Sequence, residues 1–76
     1  MITVKLYGLL RIDSGIKELT IEATSIKEIF QNLVRHGISQ ADLNSCIILI
    51  NNKPASKRTS LHDGDVVQLM SPVAGG

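Results

Sequence analysis

The chain contains a single cysteine, Cys46, among its 76 residues. One thiol cannot form an internal disulfide, a four-thiolate iron-sulfur cluster or a Cys-x-x-Cys redox motif, so these classes of chemistry are excluded for the chain itself. Unpaired cysteine is among the most buried residue types, and we therefore interpret Cys46 as a small apolar side chain of the core. A role as a sulfur relay is the alternative interpretation.

Aromatic residues and net charge are also scarce. The sequence has no tryptophan, only Tyr7 and Phe30 as aromatic side chains, and a formal net charge of +1. Binding to nucleic acid depends on a basic surface or on aromatic stacking, so we expect no nucleic-acid partner.

Long apolar runs are missing as well. The longest, from Cys46 to Ile50, is far too short to span a bilayer. The first residues, Met1 to Lys5, lack the charged and apolar regions of a secretory leader. We therefore expect no membrane segment and a cytoplasmic location.

Aliphatic residues dominate what is present. Hydrophobic residues make up 43% of the chain and charged residues 20%, which favours a folded domain over disorder. A chain of this length buries only about 60% of its unfolded surface, so we expect one small core and no large catalytic cleft.

Alternating apolar residues predict strands at the start of the chain. The period-two pattern of residues 2–7 predicts a strand that ends near Gly8. Leu19 and Ile21 alternate with polar residues and predict a second strand, after a loop that contains residues 13–15. The chain is therefore expected to open with an antiparallel hairpin.

One amphipathic helix is predicted next. Ser25 and Glu28 form a capping box before apolar residues at helical spacing over 26–33. Gly37 supplies a left-handed position that ends the helix, and His36 before it is interpreted as a capping charge rather than a ligand.

The second half of the chain predicts two more strands. They run from Cys46 to Ile50 and from Val66 to Met70, and turn-forming residues stand at 51–54 and 63–65. Residues 38–45 are ambiguous and compatible with a short helical turn that begins at Ser39. The order ββαββ predicts an α+β domain with one main helix on one face of a sheet.

The last residues carry the feature of greatest chemical interest. We expect a domain over residues 1–70 and a tail over residues 71–76 that ends in Gly75 and Gly76. A segment without side chains can enter a channel that excludes any Cβ and present its carboxylate to another enzyme. The predicted reactive group is therefore the Gly76 carboxylate, although two terminal glycines are also compatible with an end that frays. The tail residues before it are Pro72, Val73, Ala74 and Gly75.

Several short segments occur in a characteristic order: residues 6–11 with Gly15, Ser25-Ile26, Ile50-Asn51-Asn52, residues 61–65 and residues 71–76. In this order they resemble the ubiquitin-like β-grasp sulfur carriers of the MoaD/ThiS type, most closely the small subunit of molybdopterin synthase. Two departures are Ser71-Pro72, where that family usually has Pro-Pro, and Val66, where an acidic residue is common. The segment Leu9-Leu10-Arg11 favours the molybdopterin branch over the thiamine branch, which tends to have a shorter first hairpin.

The resemblance implies that the chain carries a reactive group and is not an enzyme on its own. An E1-like adenylating enzyme would activate the Gly76 carboxylate with ATP, and a persulfide donor would convert it to a thiocarboxylate. The large subunit of molybdopterin synthase would receive the tail and its sulfur. The sequence has no G-x-x-x-x-G-K-[ST] phosphate loop, so the ATP site belongs to the partner and no cofactor of this chain is expected.

Other uses of the same tail are compatible with the sequence. They are sulfur transfer in thiamine biosynthesis or transfer-RNA thiolation, and conjugation to proteins in the manner of ubiquitin. A further alternative is a non-catalytic binding module of the same fold, in which Gly75 and Gly76 have no chemical role. A metal site at His62, Asp63 and Asp65 is not expected, because this sequence is typical of a solvated turn.

A partner-binding surface is predicted from strands that are apolar on both faces. In a β-grasp sheet the last strand lies between the first strand and the strand at residues 47–50. One helix covers only one face, so the outward side chains are expected to form a contiguous patch beside the tail. This outer-face patch comprises Tyr7, Ile47, Leu49, Val66 and Met70.

Overall fold

Residues 1–71 are described by the computed structural model, and they form strands and helices in the order βαβααβββ. The elements are β1 (Ile2–Tyr7), α1 (Leu9–Ser14), β2 (Glu18–Ile21), α2 (Ile26–Arg35), α3 (Gln40–Ser45), β3 (Ile47–Ile50), β4 (Lys53–Ala55) and β5 (Val66–Met70). Within this part of the chain no helix is long and apolar enough to cross a membrane.

The strands form one mixed sheet in the order β2-β1-β5-β3-β4. β1 and β5 are parallel, and the other neighbouring pairs are antiparallel. The predicted position of the last strand, between the first strand and β3, is confirmed. Because β1 and β5 are parallel, they end at the same edge of the sheet, where Tyr7 lies opposite Met70.

The core lies between the inner face of the sheet and α2. Each inner-face strand contributes every second residue, as the period-two pattern predicts. The buried inner-face side chains are Ile2, Val4, Leu6, Ile48, Ile50, Val67 and Leu69, and those of α2 are Ile26, Ile29, Phe30 and Leu33. The predicted α+β class, with one main helix on one face, is confirmed.

α2 begins and ends as its sequence predicts. The Ser25 hydroxyl accepts a hydrogen bond from the Glu28 N–H, while the Glu28 carboxylate accepts one from the Thr24 N–H at 3.1 Å. The capping box therefore closes on Thr24, one residue earlier than in the standard motif. At the other end, His36 Nδ1 lies 2.9 Å from the Asn32 carbonyl oxygen, and Gly37 has a φ of 93°. The capping role predicted for His36 is confirmed.

Two short elements, α1 and β4, were not predicted, and the helical turn compatible with Ser39 is present as α3. Asp13 and Ser14, which were expected in a loop, are the last residues of α1, and Gly15 is its left-handed C-cap. The ambiguous segment contains α3, whose first turn donates two N–H groups to the Ser39 hydroxyl. The turn expected over residues 51–54 is confined to Asn51 and Asn52, both with positive φ, because Lys53–Ala55 pairs with β3 as an edge strand.

Candidate functional site

The structure describes the tail only at its root. Ser71 follows β5 directly and lies at the edge of the sheet where β1 also ends. The predicted reactive residue Gly76, together with Pro72, Val73, Ala74 and Gly75, lies outside the described residues. The boundary expected between domain and tail therefore stays a prediction.

The outer-face patch begins at the same edge as the tail. The register places Tyr7, Met70 and Ile47 in one row across three adjacent strands. Ile47 is 51% exposed, whereas the side chains of Tyr7 and Met70 are half-buried. These three predicted residues are brought together beside the root of the tail.

The other two members of the patch lie farther along the strands. Leu49 follows Ile47 on the same face of β3 and lies opposite Gln68, while Val66 lies opposite Thr3 at the start of β5. Leu49 is thus a diagonal neighbour of Val66 and Met70, the first and last residues of β5 on the outer face. Val66 is farthest from the tail, because β5 runs from Val66 towards Met70 and Ser71.

Gln68 stands in the middle of this face and was missing from the predicted set. Its Nε2 donates a hydrogen bond to the Tyr7 hydroxyl at 3.3 Å, which ties β5 to β1 across the outer face. The patch is therefore apolar around a polar centre rather than apolar throughout. The alternation of Val66, Gln68 and Met70 in the sequence is the signal that identifies Gln68 as outward-facing.

α1, which the sequence pattern did not predict, adds two exposed apolar side chains. Leu9 is 40% exposed and Ile12 is 73% exposed. They are three residues apart and therefore share one face of the helix, whereas Leu10 is buried in the core. We call Leu9 and Ile12 the α1 face.

A cleft of about 120 Å³ adjoins Tyr7 at the side of the sheet nearer β2. Three of its lining side chains are cationic and one is anionic. Among residues 1–71, none of these cations lies within 4.0 Å of a carboxylate. The cleft therefore carries an excess of positive charge next to the outer-face patch. It is lined by Lys5, Leu6, Tyr7, Arg11, Lys17 and Glu18.

A second depression, of about 320 Å³, lies between α2, α3 and the loop after β4. Lys57 Nζ donates a hydrogen bond to Asn44 Oδ1 at 2.8 Å and lies 5.9 Å from the centre of the Phe30 ring. This depression is on the helical side of the sheet, away from the outer face. None of the predicted site residues lines it.

Cys46 lies at the end of α3, where it is partly buried and packs against the core. Its Sγ donates a hydrogen bond to the Leu43 carbonyl oxygen at 3.0 Å. Burial raises the pKa of this thiol from 9.0 to about 11. The thiol is therefore protonated at neutral pH and a poor nucleophile, as expected of a structural cysteine.

The acidic turn before β5 is used for structural hydrogen bonds. The Asp65 carboxylate accepts hydrogen bonds from the His62 N–H at 2.8 Å and from Asn51 Nδ2 at 2.9 Å. These bonds, the backbone one first, lower the pKa of Asp65. Asp63 accepts a hydrogen bond from the amino group of Met1, and this bond and the positive charge lower its pKa as well. The turn thereby connects the starts of β1 and β5.

Comparison with known proteins identifies the family. The sequence matches the ThiS family over residues 4–76. No curated protein matches the chain.

Three solved structures illustrate the likeness. A chain of the complex of subunits 1 and 2 of molybdopterin-converting factor from Helicobacter pylori 26695 is 27% identical, with 99% of this chain and 97% of that chain covered and a TM-score of 0.67. A candidate molybdopterin converting factor subunit 1 from Pyrococcus furiosus is 25% identical, with coverage of 95% and 97% and a TM-score of 0.74. SAMP1 from Haloferax volcanii is 18% identical, with coverage of 99% and 98% and a TM-score of 0.84, and this likeness concerns the fold.

The chain belongs to the ThiS family. Members of this family are small ubiquitin-like sulfur carriers that work with partner enzymes and are not catalysts themselves. The resemblance inferred from the sequence segments is thereby confirmed.

Proposed function

We propose that this ThiS-family chain carries sulfur as a thiocarboxylate on Gly76. The observation that supports this most strongly is that the family match continues through the tail to residue 76. A terminal carboxylate has a pKa of about 3.5, so at neutral pH it is ionised and a poor electrophile. It therefore needs activation before sulfur can be attached.

The activating step belongs to an E1-like partner that binds ATP. The Gly76 carboxylate attacks the α-phosphate of ATP, and pyrophosphate leaves, which produces an acyl-adenylate. A persulfide sulfur of the donor enzyme then displaces AMP and forms an acyl disulfide. A second thiol cleaves that disulfide, so that the thiocarboxylate is released and a new disulfide remains on the donor side.

The recipient that we propose is the large subunit of molybdopterin synthase. Two observations support this pathway over thiamine biosynthesis or transfer-RNA thiolation. Both the Helicobacter pylori and the Pyrococcus furiosus relatives, at 27% and 25% identity, carry the name of molybdopterin-converting factor. The segment Leu9-Leu10-Arg11, which favours this branch in the sequence, forms the first turn of α1 beside the root of the tail.

We further propose that partners grip the outer-face patch and the α1 face while the tail enters their active site. Ile47 and Ile12 are the most exposed apolar side chains near this edge, at 51% and 73%. A cluster of exposed apolar side chains next to a reactive tail is typical of a protein interface. The partner is expected to place apolar side chains over Ile47 and Met70.

Charge defines the rim of this interface. The cleft beside Tyr7 presents Arg11, Lys5 and Lys17 with only Glu18 to oppose them, so a partner with acidic side chains at this rim fits best.

Arg11→Glu should slow association with the partner several-fold at low salt and weaken its salt dependence. Arg35→Glu, which makes the same charge change on the exposed side of α2, is the matched control and should slow association less. Equal effects of the two variants would contradict a basic rim at the cleft.

Reconstitution tests the chemistry. The chain is incubated with ATP, the E1-like enzyme and the persulfide donor of the same organism, and the product is analysed by intact mass. We expect sulfur to replace one oxygen at the C terminus of the complete chain and no such change after deletion of Gly76. Sulfur incorporation that is unaffected by this deletion would place the reactive group elsewhere.

A further inference from the structure

We propose that Ser71 and Gly8 form a clamp that fixes the root of the tail on α1, and that both act as positioning residues for delivery of the tail. The contact is direct: the Leu9 N–H donates a hydrogen bond to Ser71 Oγ at 2.7 Å. This inference rests on the proposed function, because it concerns how the tail is presented to the enzymes that modify it.

The hydrogen bond is a helix cap supplied by a distant residue. Gly8 occupies the N-cap position of α1 and makes no side-chain capping bond. Ser71, separated by 62 positions from Leu9 in the sequence, supplies a side-chain oxygen to the free N–H of the first helical residue. Ser71 is therefore both a cap of α1 and the root of the tail.

Gly8 is required by this arrangement on two grounds. Its backbone has a φ of 64° and a ψ of −139°, a combination that side-chain-bearing residues rarely adopt. A Cβ at this position would also overlap with Ser71 Oγ. A side chain at position 8 would therefore displace the Ser71 hydroxyl from the Leu9 N–H.

The sheet brings the two residues together. β1 and β5 run in parallel with Tyr7 opposite Met70, so the next residue of each strand, Gly8 and Ser71, leaves the sheet at the same place. Ser71 is the last residue before Pro72. The hydrogen bond between Leu9 and Ser71 restricts the backbone at the root of the tail. A partner that binds the tail therefore has less conformational entropy to remove.

α1 does not depend on Ser71 alone for its position. Leu10 is 1% exposed and anchors the helix in the core, while the Gly15 N–H donates to the Arg11 carbonyl oxygen at 2.9 Å and closes the other end. Removal of the Ser71 hydroxyl should therefore release the root of the tail and leave α1 packed. The clamp contributes to tail placement more than to the fold.

The variant Ser71→Ala tests the clamp in kinetics. Only carriers with a correctly placed tail root bind productively, so loss of one hydrogen bond should raise the KM for the carrier in adenylation about three- to ten-fold. The kcat should stay within about two-fold, because the bound complex is the same. The assay is ATP–pyrophosphate exchange by the E1-like enzyme, and Ser71→Thr, which keeps the hydroxyl, should restore the KM.

Ser39→Ala is the matched control. Ser39 also caps a six-residue helix, α3, through its side-chain oxygen, but it lies far from the tail in the sequence. It should lower thermal stability at least as much as Ser71→Ala and leave the KM unchanged. An unchanged KM in Ser71→Ala, an equal increase in Ser39→Ala, or failure of Ser71→Thr to restore the KM would each overturn the positioning role.

Amide exchange separates the clamp from the proposed function. In the isolated protein, NMR should show faster exchange of the Leu9 amide in Ser71→Ala than in the wild type. Equal exchange rates would show that the clamp does not form in solution, whatever the activity. If the wild-type chain is not adenylated at all, the proposed function falls and the positioning role falls with it, even where the exchange result demonstrates the contact.

Discussion

Replacement of Ile47 should weaken partner binding without a matching loss of stability. Ile47 lies in the row of the outer-face patch closest to the tail and is 51% exposed in the isolated chain. About half of its side chain is therefore still available for burial by a partner. The substitution to examine first is Ile47→Ala, which removes the apolar surface and introduces no charge.

The expected size follows from the exposed fraction. Complete burial of an isoleucine side chain is worth about 1.5 to 3 kcal/mol, and half of this is about 0.8 to 1.5 kcal/mol. Such a loss corresponds to an increase in Kd of about 4- to 12-fold. Ile47→Glu should have a larger effect, because docking would also remove a carboxylate from water.

Calorimetry with the purified large subunit measures this Kd. Val34→Ala is the matched control, since Val34 is 40% exposed but lies on α2, on the helical side of the sheet. The control should leave the Kd unchanged. If Ile47→Ala binds as tightly as the wild type, or if Val34→Ala weakens binding equally, the docking surface lies elsewhere.

Gly75→Val should block thiocarboxylate formation in the reconstituted reaction, because a β-branched side chain widens the tail and restricts its backbone; a normal yield would refute the narrow channel. Cys46→Ala should retain full sulfur transfer, since burial raises the pKa of this thiol to about 11, and a loss of transfer would instead identify a sulfur relay. The pKa of Asp65 is lowered from its ordinary value of 3.8, so the ionised carboxylate stabilises the fold at pH values above 3.8. This stabilisation is lost as the pH falls through the lowered pKa. Urea unfolding of Asp65→Asn should therefore depend less on pH in this acidic range than unfolding of the wild type, and identical profiles would contradict the assignment.

The main elements could be predicted because their signals are local. The alternation of residues 2–7 identifies β1, and Ser25 with Glu28 marks the start of α2. Both patterns result from contacts between residues that are close in the sequence or from the two faces of one strand. For the same reason the outward orientation of Ile47 and Met70 could be predicted before the sheet order was known.

α1 could not be predicted because its cap is not local. Gly8 offers no capping side chain, and the hydroxyl that serves the first turn belongs to Ser71 at the other end of the domain. β4 has only three residues and includes Pro54, so its pairing with β3 decides its structure. As a result, the contribution of Leu9 and Ile12 to the candidate interface became visible only in the folded chain.

Intact-mass spectrometry of the protein isolated from its native host tests the central claim most directly. The account predicts a population in which sulfur replaces one oxygen, with tandem fragmentation locating the change at Gly76. This population should disappear when the E1-like enzyme is deleted. An unmodified C terminus in cells that are actively making molybdopterin, or sulfur located on Cys46 instead, would contradict the proposal that Gly76 carries the sulfur.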